Sequence, residues 1–76
     1  MQNDQLTLCI NKKLERYFNQ LNGQPANNIH KMVMREVEKI TVQFALKFYQ
    51  KNQSSTAKAL GINRATLKRK IKLYNL

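Results

Sequence analysis

The sequence predicts an all-α fold of four helices, and three observations carry that reading. Apolar residues recur at spacings of three and four over most of the chain, which is the period of a helix face and not the alternation of a strand. Residues that stop or start helices fall between those periodic stretches: Asn22 with Gly23, the single Pro25, and Gly61 with Asn63. No stretch reads as a strand, an internal repeat or a low-complexity segment.

Leu6, Ile10, Leu14, Tyr17, Phe18 and Leu21 lie on one face and predict a first helix from roughly Leu6 to Leu21. Asn22 and Gly23 tolerate the left-handed conformation that closes a helix, and Pro25 cannot continue one. Residues 1–5 are left as a short flexible N-terminus.

After the loop NGQPAN, the side chain of Asn28 is placed to accept hydrogen bonds from the free amides of a second helix. That helix carries Ile29, Val33, Val37, Ile40, Phe44 and Phe48 on one stripe, with Met32, Met34, Val42, Ala45, Leu46 and Tyr49 elsewhere. At about 21 residues it is roughly 31 Å long. Apolar positions cover more than one of its faces, which is more than one short partner helix can bury. Residues 6–50 are therefore expected to form a dimer core in which the first two helices of two chains cover each other.

The segment QKNQSS breaks the second helix. Gln53 or Ser54 starts a third helix that runs through Leu60, with Ala57 and Leu60 facing inward, and Gly61 closes it. Asn63 opens a fourth helix from Arg64 to about Tyr74, whose inner stripe is Leu67, Ile71 and Tyr74. A short helix, a turn containing Gly and a second helix make residues 51–76 the outline of a helix-turn-helix, a unit that lays its second helix in the major groove of DNA.

Charge agrees with that outline. The formal net charge is +10, and all four acids, Asp4, Glu15, Glu36 and Glu38, precede residue 39. Such asymmetry points to a polyanionic partner, with nucleic acid first and an anionic membrane surface second. No apolar run is long enough to span a bilayer, and the N-terminus has an acidic residue where a signal peptide would be basic and no long apolar stretch after it, so a cytosolic protein is expected. Cys9, the only cysteine, rules out an intrachain disulfide; between Leu8 and Ile10 it reads as a packing residue. His30 reads as a helix-face histidine. Paired acids, a Ser/His/Asp set and a glycine-rich phosphate loop are all missing from the sequence, so neither an enzyme nor a cofactor is expected.

Along the fourth helix, Ala65, Lys68, Arg69 and Lys72 project away from the inner stripe, Arg64 lies at its border, and Thr66 and Lys70 occupy the other flank. Groove-reading helices present their N-terminal residues to base edges. Asn63, Arg64 and Lys68 are thus the base-contact candidates, with Arg64 able to grip guanine O6 and N7 in a fork. Thr66, Arg69, Lys70 and Lys72 are candidates for phosphate, joined by Asn52 and Ser54 where the third helix offers its free amides.

Three stretches go further: YFNQLNGQ (Tyr17 to Gln24), VEKI in the second helix, and NQSSTAKALGINRATLKRKIKLY (Asn52 to Tyr74), with GINR-x-TL-[KR]-[KR]-K the most specific part. On these residues the chain, from about Lys12 onward, resembles the Fis family of bacterial nucleoid-associated DNA-bending proteins. Its last two helices also resemble the DNA-binding domain at the end of enhancer-binding activators of the nitrogen-regulator type, but YFNQLNGQ favours the Fis family. The resemblance implies an intertwined homodimer with two helix-turn-helix units on one side, and recognition helices closer together than one turn of DNA, about 34 Å. Double-stranded DNA must then bend, and a deformable A/T-rich centre is favoured. The resemblance implies that Arg64 reads a guanine near each end of the site beside Asn63, and that Asn52, Ser54, Thr66, Arg69, Lys70 and Lys72 hold phosphates. It implies a cytoplasmic, nucleoid-associated modulator of transcription and chromosome organisation that uses no cofactor.

Departures from the family pattern shape the expectations. Only MQNDQ precedes the first helix, where the family commonly has a β-hairpin arm that stimulates DNA invertases, so that activity is not expected. Ile40 stands where the best-known members have a kinking proline, which predicts a straighter second helix. Lys51 stands where the family has glycine, and Gln50 and Ser55 where it has arginines, which weighs against contact with RNA polymerase through that turn. Lys68 replaces an arginine and Leu73 a basic residue. The rival readings are a basic RNA-binding or ribosome-associated helical protein, and a protein-interaction module that docks through its first two helices. The fourth helix shows no exposed aromatic residue among its bases for stacking on single strands, which weighs against the first rival.

Overall fold

The structure, a computed structural model, describes residues 4–76, with side chains from residue 5 onward. Among the described residues there are four α-helices and no strand: α1 (Asp4–Asn19), α2 (Ile29–Phe48), α3 (Gln53–Leu60) and α4 (Arg64–Leu73). The all-α expectation holds. α1 begins at Asp4, ahead of the expected Leu6, so Asp4 and Gln5 are helical; residues 1–3 of the expected flexible segment lie outside the described residues. It also stops at Asn19, short of Leu21, because an apolar stripe marks a face and not an end. The left-handed closure falls where residue type placed it, at Asn22 (φ 52°) and Gly23 (φ 82°).

The chain divides into two compact units, Met1–Val33 and Met34–Leu76, with the division inside α2. In the first unit no described side chain is fully buried. Ile10, Leu14 and Leu21 are half-buried, whereas Leu6, Leu8 and Phe18 are exposed. The Tyr17 hydroxyl donates to the Asn27 carbonyl at 3.1 Å and accepts the Asn27 N–H at 3.3 Å, which ties α1 to the loop that follows it. Two expectations are corrected here. Cys9 is exposed on α1, because it falls off the face that carries Ile10 and Leu14. Asn28 adopts φ 58° and takes the Met32 N–H on its backbone carbonyl at 3.0 Å, so the start of α2 uses its main chain and not the expected side-chain cap.

The second unit encloses a core. Val42 of α2, Ala57 of α3 and Leu67 of α4 are buried, and Leu46, Leu60, Ile62, Ile71 and Leu76 pack against them. Thr56 is fully buried too; its hydroxyl donates to the Asn52 carbonyl at 2.7 Å, which removes the cost of an unpaired polar group. This core sorts the two apolar faces of α2. Val42 and Leu46 point into it, while Val37, Ile40, Phe44 and Phe48 stay 39–69% exposed. At about 100° per residue the two faces lie roughly 180° apart, on opposite sides of the helix, too far for one helix pair to cover both. α2 runs unbroken through Ile40, which keeps the backbone N–H that a proline would lack.

Both helices of the C-terminal pair start and stop on local chemistry. Asn52 and Asn63 are extended N-caps whose side-chain oxygens accept the N–H of Ser55 (3.0 Å) and Thr66 (2.8 Å). Gly61, at φ 77°, closes α3, and Ile62 returns its N–H to the Ala57 carbonyl at 3.1 Å. The α2–α3 turn uses left-handed backbone at Gln50 (φ 53°) and Lys51 (φ 67°), which costs non-glycine residues about 1–2 kcal/mol each. The Lys51 N–H on the Leu46 carbonyl at 2.8 Å and the Asn52 N–H on the Tyr49 carbonyl at 3.0 Å hold that turn in place.

Candidate nucleic-acid interface

α4 is pinned along one side by Leu67 and Ile71, and α3 packs against it. Ala65, Lys68, Arg69 and Lys72 are exposed, on the arc where the sequence placed them, and Arg64, expected at the border of the inner stripe, is exposed as well. Asn63 is exposed at the start of the helix. Its side-chain oxygen is committed to the Thr66 N–H, so only its amide N–H groups remain for a ligand. Arg64 is the first residue of α4, next to its Asn63 cap, and Lys68 lies one turn further along the same face.

The phosphate candidates divide by partner. Arg69 donates through Nη2 to Thr66 Oγ1 at 3.3 Å; the Thr66 hydroxyl proton and the other guanidinium donors stay free. Lys72 is exposed in the last turn of α4. Asn52 and Ser54 are exposed at the α3 N-terminus, where Asn52 also caps the helix. Lys70 is different. Its ammonium donates to Glu38 Oε1 at 3.0 Å, and the side chains are 30% and 39% exposed.

Tyr74, the residue that ends α4, donates its hydroxyl to the same Glu38 oxygen. The Tyr74 hydrogen bond holds the Glu38 carboxyl below the usual carboxylate range, the Lys70 hydrogen bond and charge push the same way, and partial burial opposes them. The Tyr74 hydroxyl is correspondingly raised, first by its bond to Glu38, then by burial and the carboxylate charge, with Arg35 opposing. At neutral pH this leaves one ionised acceptor facing two donors.

Sequence periodicity placed Lys70 on its flank but missed Glu38 as its partner. A signal existed: Glu38 stands four residues before Val42, on the α2 face that enters the core. Leu76 was missed as well; left-handed Asn75 (φ 60°) folds it back, its N–H on the Ile71 carbonyl at 2.9 Å. No helix among the described residues is long and apolar enough to cross a membrane.

Residues 33–74 match the family described as bacterial regulatory protein, Fis family. The chain is 37% identical over 67 residues to the DNA-binding protein Fis of Proteus mirabilis (strain HI4320), an alignment that covers 88% of this chain and 68% of that relative. The same identity and coverage relate it to the DNA-binding protein Fis of Sodalis glossinidius and of Escherichia coli O1:K1 / APEC.

Proposed function

This chain belongs to the Fis family, and from that premise we propose that it is a nucleoid-associated DNA-binding regulator, not an enzyme, which acts as a homodimer to bind and bend double-stranded DNA. The observation that carries the reading is α4: a helix capped by Asn63, anchored by buried Leu67, that presents Arg64, Lys68, Arg69 and Lys72 with no acid anywhere after Glu38. A solvated surface helix ordinarily mixes signs.

In this reading the two ends of α4 do different work. Arg64 places its planar fork on guanine O6 and N7, flanked by the Asn63 amide and by Lys68 one turn on. Asn52, Ser54, Thr66, Arg69 and Lys72 take phosphate oxygens, which set the register without reading sequence. Lys70 shares that flank, with its ammonium committed to Glu38. The exposed α2 stripe of Val37, Ile40, Phe44 and Phe48 supports a second copy as the covering surface, since apolar area of this extent on one helix is costly to leave in water. Two recognition helices on one dimer, closer than a DNA turn, require a bent duplex and so favour an A/T-rich centre, with modulation of transcription and chromosome organisation in the bacterial cytoplasm as the consequence.

The test is fluorescence anisotropy at several salt concentrations, with wild type and Arg64→Ala titrated onto two duplexes that share an A/T-rich centre and differ only in their flanking guanines. Wild type is expected to prefer the guanine-flanked duplex by about 1–3 kcal/mol per contact, and Arg64→Ala to lose that preference while it still binds. Absence of duplex binding at moderate salt, or a folded RNA that competes far better, would overturn the reading.

A further inference from the structure

Resting on the DNA-binding reading, we propose that Glu38 is an internal competitor for phosphate: its carboxylate occupies the Lys70 ammonium and keeps one cation of α4 away from the DNA backbone, so that it limits affinity.

Among the described residues, Lys70 and Tyr74 to Glu38 are the side-chain hydrogen bonds that join separate helices. The acceptor is held in position from both sides, because Glu38 shares its α2 face with buried Val42, while Tyr74 fixes the oxygen that Lys70 uses. The pair is nevertheless open to solvent, with about a third of each side chain exposed. A phosphate oxygen that approaches this flank meets an ammonium whose charge a carboxylate already offsets, and to draw it away must break the ion pair and leave Glu38 with the Tyr74 hydroxyl alone. Among the described residues, Arg69 and Lys72, on the same helix, have no acid partner. Binding therefore draws on them fully and on Lys70 only to the extent that Glu38 releases it. An acid kept at this point is a device for weakening sequence-independent attraction without removing a base contact.

The experiment is a two-by-two comparison on full-length chain, with wild type, Glu38→Gln, Lys70→Ala and the double variant titrated onto one duplex from low to moderate salt. Glutamine keeps an oxygen for the Tyr74 hydroxyl and removes the charge. Glu38→Gln is expected to tighten binding about threefold or more, and to steepen the plot of log affinity against log salt by about 0.9 per protomer, the value of one added phosphate contact. Both effects should vanish when Lys70 is also replaced. Lys70→Ala alone should cost several-fold less affinity than Lys72→Ala, a result that does not depend on how well the Glu38 variant folds. Unchanged or weaker binding by Glu38→Gln overturns the proposal, as does tighter binding with an unchanged salt slope. A gain that persists without Lys70 also overturns it, because it shows mere long-range repulsion between Glu38 and DNA. If wild type fails to bind the duplex at all, the DNA-binding reading itself has failed, which is a different result from binding that is indifferent to Glu38.

Discussion

The units before and after Met34 are made from the same kind of sequence, amphipathic helix with apolar residues every three or four positions, yet they end differently. The later unit brings Val42, Ala57 and Leu67 from three helices to one point and seals a core around them. The earlier one has α1 and the first turns of α2, and none of its described side chains is fully buried. The difference is a matter of closure. Three short elements can surround a side chain, whereas a long amphipathic helix buries its stripe only against something as long as itself. On the proposed reading the exposed stripe of α2 is covered by a second chain, while the core of the later unit holds its shape on internal contacts.

The largest effect should come from charging the open stripe. Phe44 is 69% exposed, so Phe44→Asp should be nearly neutral for a chain that works alone. In the proposed homodimer it buries two carboxylates and removes two phenyl groups, a loss of about 4 kcal/mol or more. Sedimentation equilibrium should then show monomer at concentrations where wild type is dimeric. A wild type that sediments as a monomer would break the comparison at its root.

Next is the sealed core. Leu67→Ala removes a fully buried side chain and should cost about 3 kcal/mol in denaturant unfolding. Loss of helical signal confined to half the chain, with Tyr17 still in its folded environment, would show that the two units unfold separately. Smaller again is Asn63→Ala, which removes the α4 cap and should cost about 1 kcal/mol of stability, with no change in oligomeric state. If Asn63 acts as a cap, Asn63→Asp should restore stability, and on the proposed reading it should still weaken DNA binding, since it adds negative charge at the helix end that this reading turns to the duplex.

Several local features of both units could be read from the chain before the structure. The breaks at Asn22, Gly23 and Gly61, the Asn63 start and the Leu67 stripe are local chemistry, fixed by residues within a turn of one another. The base and phosphate candidates followed from that stripe, because naming the inward face of a helix names the outward one. The core face of α2 could not be read so. Apolar residues occupy more than one of its faces, and periodicity does not say whether Val42 or Phe44 meets the rest of the chain. Nor could the Glu38 link, a contact between residues far apart in sequence that exists only once α2 and α4 pack. Asn28, Gln50 and Lys51 sit in left-handed backbone that their residue types permit without requiring it.

The smallest predicted effect is also the one that separates the units most cleanly, because the Glu38 cluster belongs wholly to the later unit. The folded-state pKa of Glu38 lies below its ordinary value, chiefly through the Tyr74 hydroxyl and then Lys70. Its stabilising contribution is therefore complete above the unfolded carboxyl pKa, near 4.3, and is lost as pH falls through the lower folded value. Tyr74 runs the other way: its raised pKa means a contribution present below about 10 and lost as pH rises through the folded value. With both partners near one-third exposed, solvent screening keeps the Lys70–Glu38 part within about 0–1 kcal/mol. The difference in melting temperature between wild type and Glu38→Gln should be level from pH 6 to 8 and shrink below about pH 4. Ring proton shifts of Tyr74 should follow the carboxyl titration, and those of Tyr17, bonded to the Asn27 backbone, should not. A difference that stays constant down to pH 3 would mean that Glu38 supports α4 by packing alone, and the cluster would then be no electrostatic feature of the later unit.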